Sequence, residues 1–137
     1  VYLRNVGYLK ATDRAGAQGG ALHPAEDHPQ SSADELRSMG LPEHCWKAVL
    51  HHHENYDGTG FPDGLSGESI PLEARLLRVL EDSYDLVNGD TLGGELAERR
   101  LALRLEQGSG SLYDPQVVDA FLKTCLFRAQ ENGHSSL

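Results

Sequence analysis

Four of the seven histidines of this 137-residue chain fall within ten positions, at His44, His51, His52 and His53. Imidazole titrates near neutral pH and is a common metal ligand. On a helix, Trp46, Val49, Leu50 and His53 follow the i, i+3, i+4, i+7 period of one face, while His52 projects about 100° further round the axis. One reading is a single core histidine beside two solvated ones, since histidine is intermediate in burial. The other reading needs an acceptor from a second segment, and Asp82 supplies one. Val79 precedes it by three positions and Leu86 follows by four, which puts the carboxylate on the apolar side of its helix. An uncompensated charge there costs several kcal/mol. Arg75 or Arg78 on the same helix would give an ordinary ion pair, whereas a metal shared with His52 and His53 would satisfy acid and imidazoles together. Nitrogen and carboxylate donors suit iron, manganese or zinc. Spacing alone leaves both readings open.

The elements that must position these groups are all helical. Leu3, Val6 and Leu9 mark a first helix, and residues 11–27 are Gly/Ala-rich without a period, as in a loop. Ser32 with Glu35 has the capping-box form and predicts a helix through Leu36 and Met39 that closes at Gly40. A further helix starts after Pro42. Residues 55–71 hold Gly58, Gly60, Pro62, Gly64, Gly67 and Pro71, a loop long enough to be functional or disordered. Helical periodicity returns from Leu72 to Val87 through Leu76, Val79, Leu80 and Leu86, and again over 94–106. Asp114 before Pro115 makes an N-cap with proline at N1, opening a last helix through Val118, Phe121, Leu122 and Cys125. No strand, repeat or βαβ alternation is evident, so the fold class is all-α.

Composition sets the outer limits. The length suits one compact domain, and an apolar share of 39% gives a modest core. Twelve basic against twenty-one acidic residues leave a net charge of −9. That surface repels nucleic acid and anionic lipid, so a phosphate-bearing partner needs a metal or a local basic pocket. No apolar run approaches the roughly 20 residues that span a bilayer, and no signal peptide is visible. Cys45 and Cys125 read as reduced thiols, with a disulfide the minority reading, and the expected compartment is the cytoplasm. The chain opens on Val1 inside helix-like text, as expected for a piece of a longer protein.

The segment His52-His53-Glu54-Asn55-Tyr56-Asp57-Gly58-Thr59-Gly60-Phe61-Pro62-Asp63-Gly64-Leu65 resembles the signature of the HD-GYP family, His-His-Glu followed by Asp-Gly-x-Gly-Tyr-Pro-x-Gly-Leu. The resemblance continues through Ile70-Pro71-Leu72, Ala74-Arg75, Glu81-Asp82-Ser83-Tyr84-Asp85 and the closing Tyr113-Asp114-Pro115, where the family has Phe-Asp-Pro. His28-Pro29 stands upstream at the spacing of the family's His-Pro element. The resemblance implies an HD-superfamily helical domain of bacterial cyclic di-GMP signalling. Residues 1–10 would be a remnant of the HD-motif helix, 11–27 a loop, 28–130 the helical core with its loop at 55–71, and 131–137 a polar tail. It also implies a phosphodiesterase that uses two or three metals, with His28, His52, His53 and Asp82 as the ligands present here. The implied loop residues are Asp57, Gly58, Gly60, Phe61, Pro62 and Gly64.

The departures from the family pattern are specific. Its name-giving Leu-His-Asp-Ile-Gly-Lys-Ile matches Leu3-Arg4-Asn5-Val6-Gly7-Tyr8-Leu9, which puts Arg4 for the histidine, Asn5 for the aspartate and Tyr8 for the lysine. The aspartate bridges cations about 3.5–4 Å apart; a neutral amide offsets none of their repulsion, and Arg4 adds to it. A divalent metal at zero or one site is therefore expected, and no two-metal cluster. Residues 88–94 also lack the family's Arg-Pro-Tyr element and carry no cation. The expectation is a degenerate, non-catalytic or weakly active domain serving as a regulatory or interaction module, the alternative being a working cyclic di-GMP phosphodiesterase. The partners implied are cyclic di-GMP and a diguanylate cyclase-type protein docking on the loop through an exposed Phe61, with no nucleic acid and no membrane.

Overall fold

The structure, a computed structural model, describes residues 24–89 and 94–132, with side chains over 28–86 and 96–124. The expected helix at 1–9 and most of the link after it lie outside these residues. Five α-helices follow in order: α1 (Pro24–Ser38), α2 (Glu43–Leu50), α3 (Leu72–Gly89), α4 (Gly94–Gly108) and α5 (Pro115–Asn132), with a 3₁₀ turn at Gly67–Ser69. No strand occurs among the described residues; a lone bridge pairs Ser109 with Tyr113. The all-α expectation holds. No helix among these residues is long and apolar enough to cross a membrane.

One boundary of the first described helix differs from the sequence reading. Helix α1 begins at Pro24, so residues 24–27 are not loop, and Ser32 lies inside the helix with no exposed surface rather than capping it. Pro29 within the helix removes one backbone donor, yet it is fully buried, and packing of α1 on α2 carries the segment. The helix ends as expected. Gly40 takes φ +77°, its N–H donates to Arg37 O, and Leu41 N–H reaches Leu36 O. This is the paired closure that a left-handed glycine permits.

Helix α3 contacts α2, α4 and α5. Val79 from α3, Leu101 and Leu105 from α4, and Tyr113, Val117 and Val118 around the start of α5 form the main buried cluster. Leu76 and Leu80, which the periodicity placed in the core, are 42% and 50% exposed. Ala74, Val79 and Ser83 define the buried side of α3 instead. A 3.6-residue period cannot tell which of two adjacent apolar stripes faces inward when both are present.

Candidate metal centre

Helix α2 has only eight residues, too few to persist alone, and its C-terminal carbonyls need partners. It stops at Leu50, so His51, His52 and His53 stand in the turn after it and not on its face, contrary to the helical placement. That turn uses the histidines as caps. His51 N–H and its ring Nδ1 both reach Lys47 O, at 3.1 and 3.0 Å, and His52 Nδ1 reaches Val49 O. A carbonyl only accepts, so Nδ1 of His52 carries the proton and its Nε2 presents a lone pair. Such fixing of a tautomer through the remote nitrogen is how metal-binding imidazoles are oriented.

That lone pair faces His28. The Nε2 atom of His28, one turn before Ser32 on α1, lies 3.3 Å from His52 Nε2 and 3.2 Å from His53 Nε2. One nitrogen from each of the three lies within 4.8 Å of the others. Nitrogens held at 2.0–2.1 Å around a tetrahedral ion are about 3.3–3.4 Å apart, so the triad has the spacing of a metal site. His28 and His52 are 5% and 1% exposed, and His53 is half-buried, which keeps solvent from two of the three donors. His28, His52 and His53 thus converge as expected. His44 is exposed and takes no part.

Asp82 does not join them. Its Oδ2 accepts a 2.5 Å hydrogen bond from the Tyr113 hydroxyl, with Arg78 at 3.8 Å and Arg104 at 3.9 Å from the carboxylate. Arg78 is thus the neighbour of Asp82 on its own helix, as the ion-pair reading places it. The added partner is Tyr113, whose hydroxyl the sequence comparison passed over because it stands where the family has phenylalanine. Burial, and then Asp82, push the Tyr113 phenol up to about 12. A phenol in the unfolded chain ionises near pH 10, so the native state favours the neutral form. The stability this contributes is complete below about pH 10 and is lost as pH rises toward about 12. Chemical denaturation at pH 9 and pH 11.5 should show a larger drop for this chain than for Tyr113→Phe; equal drops would contradict the assignment.

A carboxylate beside His52 is that of Glu81, which has no role in the sequence reading. Its Oε2 lies 3.8 Å from His52 Nε2, with the side chain 13% exposed.

The loop at 55–71 is fastened to this centre. Glu54, 2% exposed, accepts the Asp63 N–H at 2.8 Å, and His51 Nε2 meets Asp63 Oδ2 at 3.0 Å. Asp57 N–H donates to Ser111 O, and Gly67 N–H to Tyr56 O. The Thr59 hydroxyl and N–H both donate to Asp57 Oδ1, which holds that exposed carboxyl below its ordinary value. Gly58 and Gly64 take φ +84° and +65°, conformations costly for other residues. Phe61 is half-buried, its ring 5.0 Å from that of His53, so it supports a triad member instead of standing free as an anchor. Pro62, Asp63 and Gly64 form the exposed rim.

Gly60 shows how tightly the loop is laid down. A Cβ there would lie 2.2 Å from Asn55 N and 2.5 Å from both Glu54 Cα and His53 O. All are backbone atoms that cannot swing aside. Gly60→Ala should destabilise the fold by about 1–3 kcal/mol and displace His53, read as a lower denaturation midpoint together with weaker metal binding.

Comparison with known proteins gives the family. The HD domain family model matches residues 18–117. A cyclic di-GMP phosphodiesterase of Vibrio cholerae is 37% identical over 115 residues, covering 83% of this chain and 21% of the relative. One from Thermotoga maritima is 39% identical over 129 residues, covering 88% and 35%. A cyclic di-GMP phosphodiesterase response regulator of Xanthomonas campestris is 47% identical over 76 residues, covering 55% and 20%. This chain therefore spans between about a fifth and about a third of these relatives. A Vibrio cholerae cyclic GMP-AMP-specific phosphodiesterase superposes with a TM-score of 0.60 at 18% identity, over 90% of this chain and 32% of that one, which concerns the fold. With the family model covering most of the chain and the His52–Leu65 signature in place, the chain belongs to the HD domain family, in its HD-GYP group.

Proposed function

We propose that this chain is a degenerate HD-GYP domain of cyclic di-GMP signalling that holds one divalent metal and works as a regulatory module without efficient hydrolysis. The observation that carries this reading is the convergence of His28, His52 and His53 at the spacing of a single ion. Relatives named as cyclic di-GMP phosphodiesterases support the ligand class. When bound, a divalent cation such as iron, manganese or zinc offsets phosphate charge and acidifies water. Around it, His52 keeps its Nε2 bare through Val49 O, Phe61 braces the His53 ring, and Glu54 holds the loop over the site.

Weak activity follows from charge. Asn5 and Arg4, outside the described residues, replace the acid–imidazole pair that would hold a second cation, and a net charge of −9 opposes a dianionic ligand. We assign the exposed Pro62–Gly64 rim to docking of a diguanylate cyclase-type protein, since the Phe61 ring is engaged with His53. The test is turnover. Incubation of the chain with manganese or iron(II) and cyclic di-GMP, followed by chromatography, should yield no linear dinucleotide above the metal-only control. Robust release would establish the working phosphodiesterase instead.

A further inference from the structure

Helix α3 carries more apolar surface than its neighbours cover. Leu72, Leu76, Leu80 and Tyr84 follow at four-residue intervals and so form one ridge, about 18 Å long at the rise of a helix. All four are between 42% and 53% exposed, although α2, α4 and α5 all contact this helix. A continuous apolar strip of this kind marks contact with something. Glu73 and Asp85 stand exposed at its two ends, and the chain as a whole has a net charge of −9. A second copy laid along the ridge in either direction would set these acids against acids, which disfavours it. The occupant should be apolar on one side and cationic.

One stretch of the chain has that chemistry. Residues 1–12 contain Arg4 and Lys10 and no acid, in a chain with twenty-one acids. Leu3, Val6 and Leu9 repeat there at helical spacing. Residues 1–9 as a helix would be about 13 Å long, which fits within the ridge. Residues 10–23, which join them to α1, can reach up to about 45 Å, whereas α3 is about 27 Å long.

We propose that residues 1–9, which lie outside the described residues, dock as an amphipathic helix on the ridge formed by Leu72, Leu76, Leu80 and Tyr84, with Leu3, Val6 and Leu9 turned inward. The acidic ends of the ridge attract the cationic segment. The helix so covered also carries Glu81, whose carboxylate lies 3.8 Å from His52 Nε2, so the docked segment braces α3 beside the histidine triad. The inference does not depend on a metal being bound.

Thiol labelling reads the cover directly. In the full, freshly reduced chain, Leu76→Cys is treated with iodoacetamide and its labelling followed by peptide mass, which separates it from Cys45 and Cys125. Leu103→Cys, at an exposed position on α4, is the uncovered reference, and melting curves check that each variant folds. Labelling at position 76 should run at least about tenfold slower than at 103, since it waits on local opening. Leu3→Asp/Val6→Asp in the same chain should bring the two rates together. Arg4→Glu/Lys10→Glu should also speed labelling, and adding Glu73→Lys/Asp85→Lys should slow it again. Fast labelling at 76 with residues 1–9 unaltered would overturn the proposal, the ridge then being open. Slow labelling that survives Leu3→Asp/Val6→Asp would overturn it too. The cover is then a second copy if the rate falls as chain concentration rises, and another part of this chain if it does not.

Discussion

Replacing His52 with alanine is expected to remove metal binding from this chain, with a loss in zinc affinity above about 100-fold, the upper end for merely disturbing a group that orients a ligand. The size follows from position. His52 is the triad member with both ring nitrogens assigned, Nδ1 to Val49 O and Nε2 toward His28, and it is 1% exposed. Alanine there takes away a donor and also the ring that holds His28 and His53 at their present spacing. A thermal measurement reads the same effect. Zinc at a hundred times its dissociation constant should stabilise the unmodified chain by about 2.7 kcal/mol, and His52→Ala should gain nothing. His44→Ala, at an exposed site, serves as the control and should behave as the parent does.

The second large effect concerns the fold around the site. Arg75 Nη1 donates to Asp114 Oδ2 at 2.5 Å, with the two side chains 15% and 2% exposed, and Arg75 Nε donates to Ile70 O. The other oxygen of Asp114 accepts the Gln116 N–H at 2.8 Å and so caps α5. One carboxylate thereby ties the end of the functional loop, the start of α3 and the start of α5 together. Asp114→Ala should cost about 3–5 kcal/mol, chiefly by leaving the Arg75 charge buried without its partner. The double variant Arg75→Ala/Asp114→Ala should cost less than the sum of the single ones, because the unpaired charge disappears. Additive losses in urea denaturation would contradict this account of the pair.

Much of this architecture was legible in the sequence. The helices after Pro42 and Leu72, the cap at Asp114 and the stop at Gly40 all have local causes that the residues state directly, in proline placement, capping chemistry and apolar period. The triad was legible through a different route, since His28 joins His52 across 24 positions and nothing local connects them. Only the family's motif spacing suggested it. What stayed hidden depends on tertiary packing. Ser32 and Glu35 have the form of a cap, but neighbouring α2 extends α1 back over them. The histidines appeared as a continued helix, but their rings satisfy the terminal carbonyls and end it. The hydrogen bond that Asp82 accepts from the Tyr113 hydroxyl, 31 residues away, is one that no pattern along α3 could announce.

The central claim is a centre for one metal, and metal content per folded chain tests it most directly. The chain should be stripped with chelator, reloaded with excess manganese, iron(II) or zinc, freed of loose ions and measured by elemental analysis beside native mass spectrometry. The account predicts one equivalent, lost in His28→Ala, His52→Ala and His53→Ala alike. Two equivalents in the unmodified chain would contradict it, since the proposed reading has Asn5 in place of the acid that would bridge a second cation.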